Sequence, residues 1–311
     1  MNVINLLFPV FFMIVIGIIC RIKGWVTPQQ KEGTKNVVFN IFFPILIFNV
    51  LFSSQINPST LYIVIYVFIA FILAYMLGLF LKRWNHDRFS HLSSFMLMTC
   101  EGGSVALPLY TSLVGSSFSV NTVTFDIAGV MLGFILIPII VAKQTSTEVG
   151  ISSLVKKIVT NSFVLAVTFG LLLNVLGIYQ WLQQSSFFEM YSSTLTMATG
   201  SIVGLILFTI GYDFKISSTT LKPLMKLLCL RIITSIAIIL GFFILFPNLM
   251  ADKIYLIAVI VYFMCPTGFA TPLQLMPLYK DDIDESYLST FLSLYMIVTL
   301  SVYAFTAIFL M

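Results

Sequence analysis

Runs of about 20 apolar residues constrain this chain more than any other feature, because a helix of that length matches the hydrocarbon thickness of a bilayer. Ten such runs occur, at approximately 3–20, 37–54, 61–81, 92–115, 121–142, 158–178, 193–212, 224–246, 254–278 and 287–309. They are continuous rather than alternating, which suits spanning helices and not the ten-residue, period-two strands of a transmembrane barrel. The 16 basic and 12 acidic residues among 311 are too few to cover the exterior of a soluble domain. A soluble enzyme, a secreted domain and a nucleic-acid binder are thereby excluded. The expected fold class is an all-α membrane protein with ten transmembrane helices.

The charges also predict topology. The first run follows only Met1 and Asn2 and is flanked on its C-terminal side by Arg21 and Lys23. That order is wrong for a cleaved signal peptide, so the run is expected to remain as helix 1 with the N-terminus outside. Fourteen of the 16 Lys and Arg residues fall in the odd-numbered connections; the even ones hold only Lys253, and Arg231 lies inside the eighth run. By the positive-inside rule the odd connections face the cytoplasm and both termini lie outside the cytoplasmic membrane. The net charge of +4 then reflects topology, not a nucleic acid or other acidic partner. Trp25, Trp84 and Trp181 all sit at run ends, as an interfacial belt requires.

Catalytic and metal-binding signals are absent from the pattern. Cys20, Cys100, Cys229 and Cys265 are widely spaced within or beside apolar runs and read as small packing residues. His86 and His91 share one connection and read as solvated or interfacial. No P-loop, nucleophile elbow, zinc motif or dinucleotide turn occurs. Neither an enzyme nor a cofactor or metal is expected.

Residues 143–157 are the longest polar stretch and divide the runs five and five, giving repeats over 1–142 and 158–311. Cys100-Glu101-Gly102-Gly103 leading to Ala106-Leu107-Pro108-Leu109 matches Cys265-Pro266-Thr267-Gly268 leading to Ala270-Thr271-Pro272-Leu273, with one residue fewer. Gly17 and Gly24 in the first run match Gly170 and Gly177 in the sixth. A five-helix unit crosses the membrane an odd number of times, so its second copy inserts upside down, an arrangement found in secondary transporters.

The two matched words predict broken helices. Gly102, Gly103 and Pro108 in helix 4, and Pro266, Gly268 and Pro272 in helix 9, each weaken or remove helical hydrogen bonds. Such breaks are tolerated at membrane depth only when buried in protein or lining a wet cavity, and half-helix N-termini there attract electron-rich groups. Ser104, Thr267 and Thr271 are the expected solute contacts. Glu101 beside the first break is read as a proton-exchanging or substrate-contacting carboxyl, with a hydrogen-bonded structural clamp as the alternative. Asp126 has the same two readings but lies nearer the outer interface. Arg231 is expected to snorkel to the cytoplasmic side rather than pair with a carboxylate, and Asp213 to be interfacial.

Several segments together resemble the auxin efflux carrier family, which includes bacterial malate permease-like proteins and plant PIN carriers. They are Pro9 and Gly17 in the first helix, N-V-V-F-N-I-F-F-P-I-L-I-F at 36–48, the helix-4 word ending at Pro108-Leu109, and L-F-T-I-G-Y-D at 207–213. M-C-P-T-G-F-A-T-P at 264–272, Leu278-Tyr279 and S-T-F-L-S-L at 289–294 complete the likeness, which spans nearly the whole chain. The resemblance implies a 5+5 inverted repeat with crossing broken helices 4 and 9, a scaffold of helices 1, 2, 6 and 7, often dimeric, and a mobile domain of helices 3–5 and 8–10. It implies elevator-like movement of organic anions. Glu101 stands where the family commonly has Asn, which keeps neutral, zwitterionic or cationic solutes, and proton-coupled anion movement, open.

The expected function is therefore secondary active transport of a small organic solute within the lipid membrane, coupled to H+, with Na+ as the other candidate. A transporter-fold sensor that binds a lipid or hormone-like ligand without moving it is the alternative.

Overall fold

The computed structural model describes residues 3–54, 58–82, 88–145, 156, 159–214 and 221–311, whose regular structure is helical, with no strand. Arg83, Trp84, His86, Lys157, Lys215 and most of the 143–157 connection lie outside the described residues. Among those described, six helical runs are long and apolar enough to cross a membrane: Pro28–Ser53, Thr60–Leu81, Val120–Gln144, Phe188–Asp213, Pro223–Leu245 and Asp282–Phe309. The chain is thus a multi-pass helical membrane protein. Shorter apolar helices cover Gly102–Val114, Ser162–Val175 and Lys253–Phe263.

The first run forms α1 (Val3–Lys23), which ends at left-handed Gly24, φ 67°. The second begins earlier than its apolar pattern, because a Thr27–Gln30 capping box starts the polar helix α2 (Pro28–Val37), which leads through a π turn at Val38–Phe42 into α3 (Phe43–Ser53). The helix α4 (Pro58–Lys82) follows. The fourth run is divided into α5 (Ser90–Ser93), a 3-10 turn at Phe95–Leu97, a non-helical stretch through Glu101, a π turn at Gly102–Ala106, and α6 (Leu107–Val114). The fifth is α7 (Val120–Met131), a π turn at Leu132–Leu136 and α8 (Ile137–Gln144).

The three π turns share a cause. Each is followed by a helix with proline at its second position, Pro44, Pro108 or Pro138. Without an N–H, and with a ring that crowds the carbonyl four residues back, proline leaves Asn40, Ser104 and Phe134 without their ordinary partner, and the local helix widens. Pro108 therefore widens helix 4 instead of breaking it, contrary to expectation; the break lies upstream.

In the second half, Asn161 caps α9 (Ser162–Val175) by accepting from Phe163 N at 2.9 Å and Val164 N at 3.2 Å. Left-handed Gly177, φ 73°, ends it before α10 (Ile178–Gln183). The seventh run starts earlier than its hydropathy suggests, as α11 (Phe188–Thr199) and α12 (Ile202–Asp213). After α13 (Leu221–Leu245) and the turn α14 (Pro247–Met250), Asp252 caps α15 (Lys253–Phe263). A seven-residue interruption at 264–270 precedes α16 (Thr271–Leu275). The last helix is α17 (Asp282–Phe309), capped by Asp281 and carrying Asp282, Asp284 and Glu285 in its first turn.

The most extensive helix contacts pair α1 with α12 and α3 with α9. Glycine permits both. A Cβ on Gly17 would strike Phe208 O and approach Tyr212 N at 2.8 Å, and one on Gly211 would strike the Ile14 backbone. A Cβ on Gly170 would lie 3.0 Å from Phe48 O. Beside each contact a side chain caps the partner helix. Arg21 donates to Tyr212 O at 3.0 Å and to Phe214 O. Asn174 donates to Leu51, Phe52 and Ser54 carbonyls at 3.0, 2.8 and 2.6 Å.

Near the start of α17, Arg88 bonds Asp281 and Phe89 stacks on Tyr287, centroids 4.0 Å apart. The Arg88 guanidinium holds the Asp281 carboxyl below the ordinary carboxylate range. That contribution is present above about pH 4 and is lost as pH falls through the lowered value. His91 is not merely solvated, since its Nε2 lies 3.3 Å from the buried Asp284 carboxylate. Asp213, expected at the interface, pairs with Lys31 at 2.8 Å and lies 4.0 Å from Lys35. Trp25 and Trp181 are exposed, as a belt requires.

Gly17→Leu and Gly211→Leu are each predicted to abolish the monodisperse peak in fluorescence-detected size exclusion, because the α1–α12 backbones cannot separate cheaply. Gly33→Ala, where an added Cβ meets nothing within 4 Å, should leave the profile unchanged.

Candidate functional site

The two interruptions meet. Glu101 N donates to Pro266 O at 2.7 Å, Gly268 N donates to Thr99 Oγ1 at 3.3 Å, and the Thr267 hydroxyl donates to Met96 O. Three cross-links between segments some 170 positions apart in sequence make one crossing of two non-helical stretches, in which backbone groups left over by each are satisfied by the other.

Helix ends at this crossing are polarised, and two charged side chains answer them. On the N-terminal side, Glu101 Oε1 accepts from Ser104 N at 3.3 Å and from the Ser104 hydroxyl, while Oε2 accepts from Phe269 N. Glu101 therefore caps its own π turn and ties it to the other interruption, the structural-clamp alternative of its two sequence readings. On the C-terminal side, Arg231 of α13 is 1% exposed. It donates to Leu97 O at 3.1 Å, Thr99 O at 2.8 Å, Cys265 O at 3.3 Å and Cys100 Sγ at 2.9 Å, and lies 5.7 Å from the Tyr295 ring centroid. The expectation that Arg231 snorkels is overturned. The carbonyls freed where both helices stop make a deeper acceptor site than the interface offers, and a planar guanidinium reaches several of them at once. Cys100 is correspondingly more than a packing residue, and Cys229 is exposed.

Asp126 also departs from its expected place. It lies against the crossing: Tyr262 donates to its Oδ1 at 3.2 Å, and a Cβ on Gly102 would collide with the same oxygen and come within 2.8 Å of the Tyr262 ring. Gly102 is thus required by close approach. A Cβ on Gly103 would collide with the Phe43 ring.

A cavity of about 280 Å³ opens beside the crossing. Glu101, Gly102, Gly103, Ser104, Asp126, Gly268 and Thr271 line it. Thr267 does not: it is fully buried and spent on Met96 O. Pro266 contributes its carbonyl to Glu101, and Pro108 lies outside the lining. A second cavity of about 440 Å³ shares Glu32, Lys35, Phe39, Ser104, Phe269 and Leu273 with the first and extends past Pro272. Lys35, Asn36 and Asn40 reach the first cavity from the second run. In sequence Lys35 counts only among the topology charges; the signal that marks this segment as cavity-facing is Asn36 and Asn40 four residues apart, a polar stripe on an otherwise apolar segment. Among the described residues, no three His, Cys, Asp or Glu side chains converge as a metal-binding group.

Compared with known proteins, the chain matches no protein-family model and no curated sequence.

Arg231→Met is predicted to lower the thermal unfolding midpoint of purified protein sharply, because each buried carbonyl left without a donor costs about 1–3 kcal/mol. Arg231→Lys should rescue only part of the loss, since an ammonium cannot reproduce the fork. A snorkelling arginine would tolerate lysine fully.

Proposed function

We propose that the chain is a secondary transporter of a small organic solute, built as ten membrane passes in a 5+5 inverted repeat and working by elevator-type alternating access. The observation that carries the reading is the pair of interrupted helices that cross with their charged ends compensated and a cavity beside them, the arrangement in which discontinuous helices form substrate sites. Resemblance to the auxin efflux carrier family supports it. So does the packing: Gly17, Arg21 and Gly24 stand to α12 as Gly170, Asn174 and Gly177, at the same interval, stand to α3. In both sets a glycine admits the partner backbone, a side chain four residues later caps its C-terminus, and a left-handed glycine ends the helix. The four helices so joined are those the resemblance assigns to the scaffold, which in this reading pairs with a second copy. The remaining helices carry the crossing and move.

Coupling to H+ fits better than coupling to Na+. Carbonyls at half-helix C-termini are where transporters of this type coordinate Na+, and here Arg231 already occupies them. The Glu101 oxygens are filled by two N–H groups and a hydroxyl. Asp126 is the carboxylate left to carry a proton, and it faces the cavity.

Proteoliposomes are expected to accumulate solute in response to a pH gradient without Na+. Saturable binding with no accumulation would point to the sensor instead. Asp126→Asn should fold and lose the response to the gradient. Glu101→Gln should instead lower folded yield, because its amide N–H2 faces a backbone donor at one end; a normally folded Glu101→Gln protein that has lost only its pH response would return the coupling role to Glu101.

A further inference from the structure

Among the described residues, four carboxylate or ammonium side chains line the cavity beside the crossing: Glu32, Lys35, Glu101 and Asp126. Two are already compensated. Glu32 pairs with Lys31 at 3.2 Å, and Glu101 accepts at both oxygens from Ser104 and Phe269. The remaining two are held less closely among the described residues: Asp126 accepts the Tyr262 hydroxyl at 3.2 Å, and Lys35 pairs with Asp213 at 4.0 Å, the limit of an ion pair, and lies within electrostatic reach of Glu101. Arg231 adds no charge inside the cavity, since it is buried behind the crossing among carbonyls. The cavity thus presents one carboxylate with a single hydroxyl donor and one ammonium with a single long ion pair, both with room for a further partner.

Neutral groups divide the same way. Gln274 lines the cavity with a buried Oε1 that has no hydrogen-bond partner among the described residues, an acceptor with capacity for a donor. Asn36 and Asn40 sit on the same segment as Lys35 and bring amide donors to its side. Part of the wall is aromatic: Phe163 lies between Phe43 and Phe134, with centroids 5.3 and 5.7 Å away. A volume of about 280 Å³ is at the low end of small-molecule sites, about 300–1,000 Å³.

We infer that the cavity takes a zwitterion of apolar α-amino acid type, its ammonium on Asp126 and Gln274, its carboxylate on Lys35 with Asn36 and Asn40, and its side chain against the phenylalanines. A simple organic anion meets Lys35 but leaves Asp126 facing it uncompensated, and burying a carboxylate opposite a carboxylate is unfavourable. The inference rests on the transport reading for its biological meaning and on the cavity alone for its chemistry.

The test compares L-phenylalanine with 3-phenylpropanoate, which lacks the ammonium, and 2-phenylethylamine, which lacks the carboxylate, by thermal shift and calorimetry on the full-length detergent-purified protein. Binding of phenylalanine at least about tenfold tighter than either analogue is expected, the worth of one hydrogen bond to a buried charge. Equal or tighter binding of either analogue, or no binding by any of the three, overturns the inference. Asp126→Asn should bring phenylalanine down to the level of 3-phenylpropanoate; a variant that keeps the preference removes Asp126 from the ammonium site. Counterflow in proteoliposomes separates the two readings. Phenylalanine that binds without exchanging keeps the ligand class and removes transport, whereas exchange of a dicarboxylate with no response to phenylalanine keeps transport and removes the ligand class.

Discussion

Two helices that stop in the middle of a membrane protein leave carbonyls on one side of each gap and N–H groups on the other, and the structure turns on how those groups are satisfied. Arg231 takes the carbonyls of Leu97, Thr99 and Cys265, while Glu101 takes the N–H groups of Ser104 and Phe269. Each unsatisfied group in hydrocarbon would cost several kcal/mol, so without this pair the interruptions would not persist. The surrounding helices can then pack against a defined crossing, and the cavity beside it keeps its shape.

Because Arg231 and Glu101 are committed to the backbone, Asp126 and Lys35 are the cavity charges with the fewest close partners among the described residues. In the proposed reading, a ligand carrying the complementary pair would supply their missing partners and so offset part of the cost of holding charge there.

Proline and glycine explain where the helices change character. Pro44, Pro108 and Pro138 each follow a π turn, whereas the full interruptions lie at Thr99–Glu101 and at 264–270, where tertiary partners replace the lost helical bonds. The word around Cys100 through Leu109 pointed to the right neighbourhood and to the wrong residue as the breaker. Gly102, Gly103, Ser104, Gly268 and Thr271 were legible as candidates because small or hydroxyl side chains cluster there in an apolar run, and the structure places all five along one cavity. Thr267 looked identical in sequence, but its hydroxyl is turned to Met96 O.

Hydropathy and length in the sequence point to the membrane as solvent and to several of the long helices, and local words point to the neighbourhood of the two gaps. These follow from hydropathy, length and local stereochemistry, which are properties of a few consecutive residues. Tertiary structure decided the fate of the scarce charges. Whether Arg231 reaches an interface or a set of carbonyls, which donors the Glu101 carboxylate meets, and which cavity Lys35 borders all depend on groups distant in the chain. The free energy of a charge at low dielectric is set by the atoms within a few ångströms of it, and no local pattern specifies those.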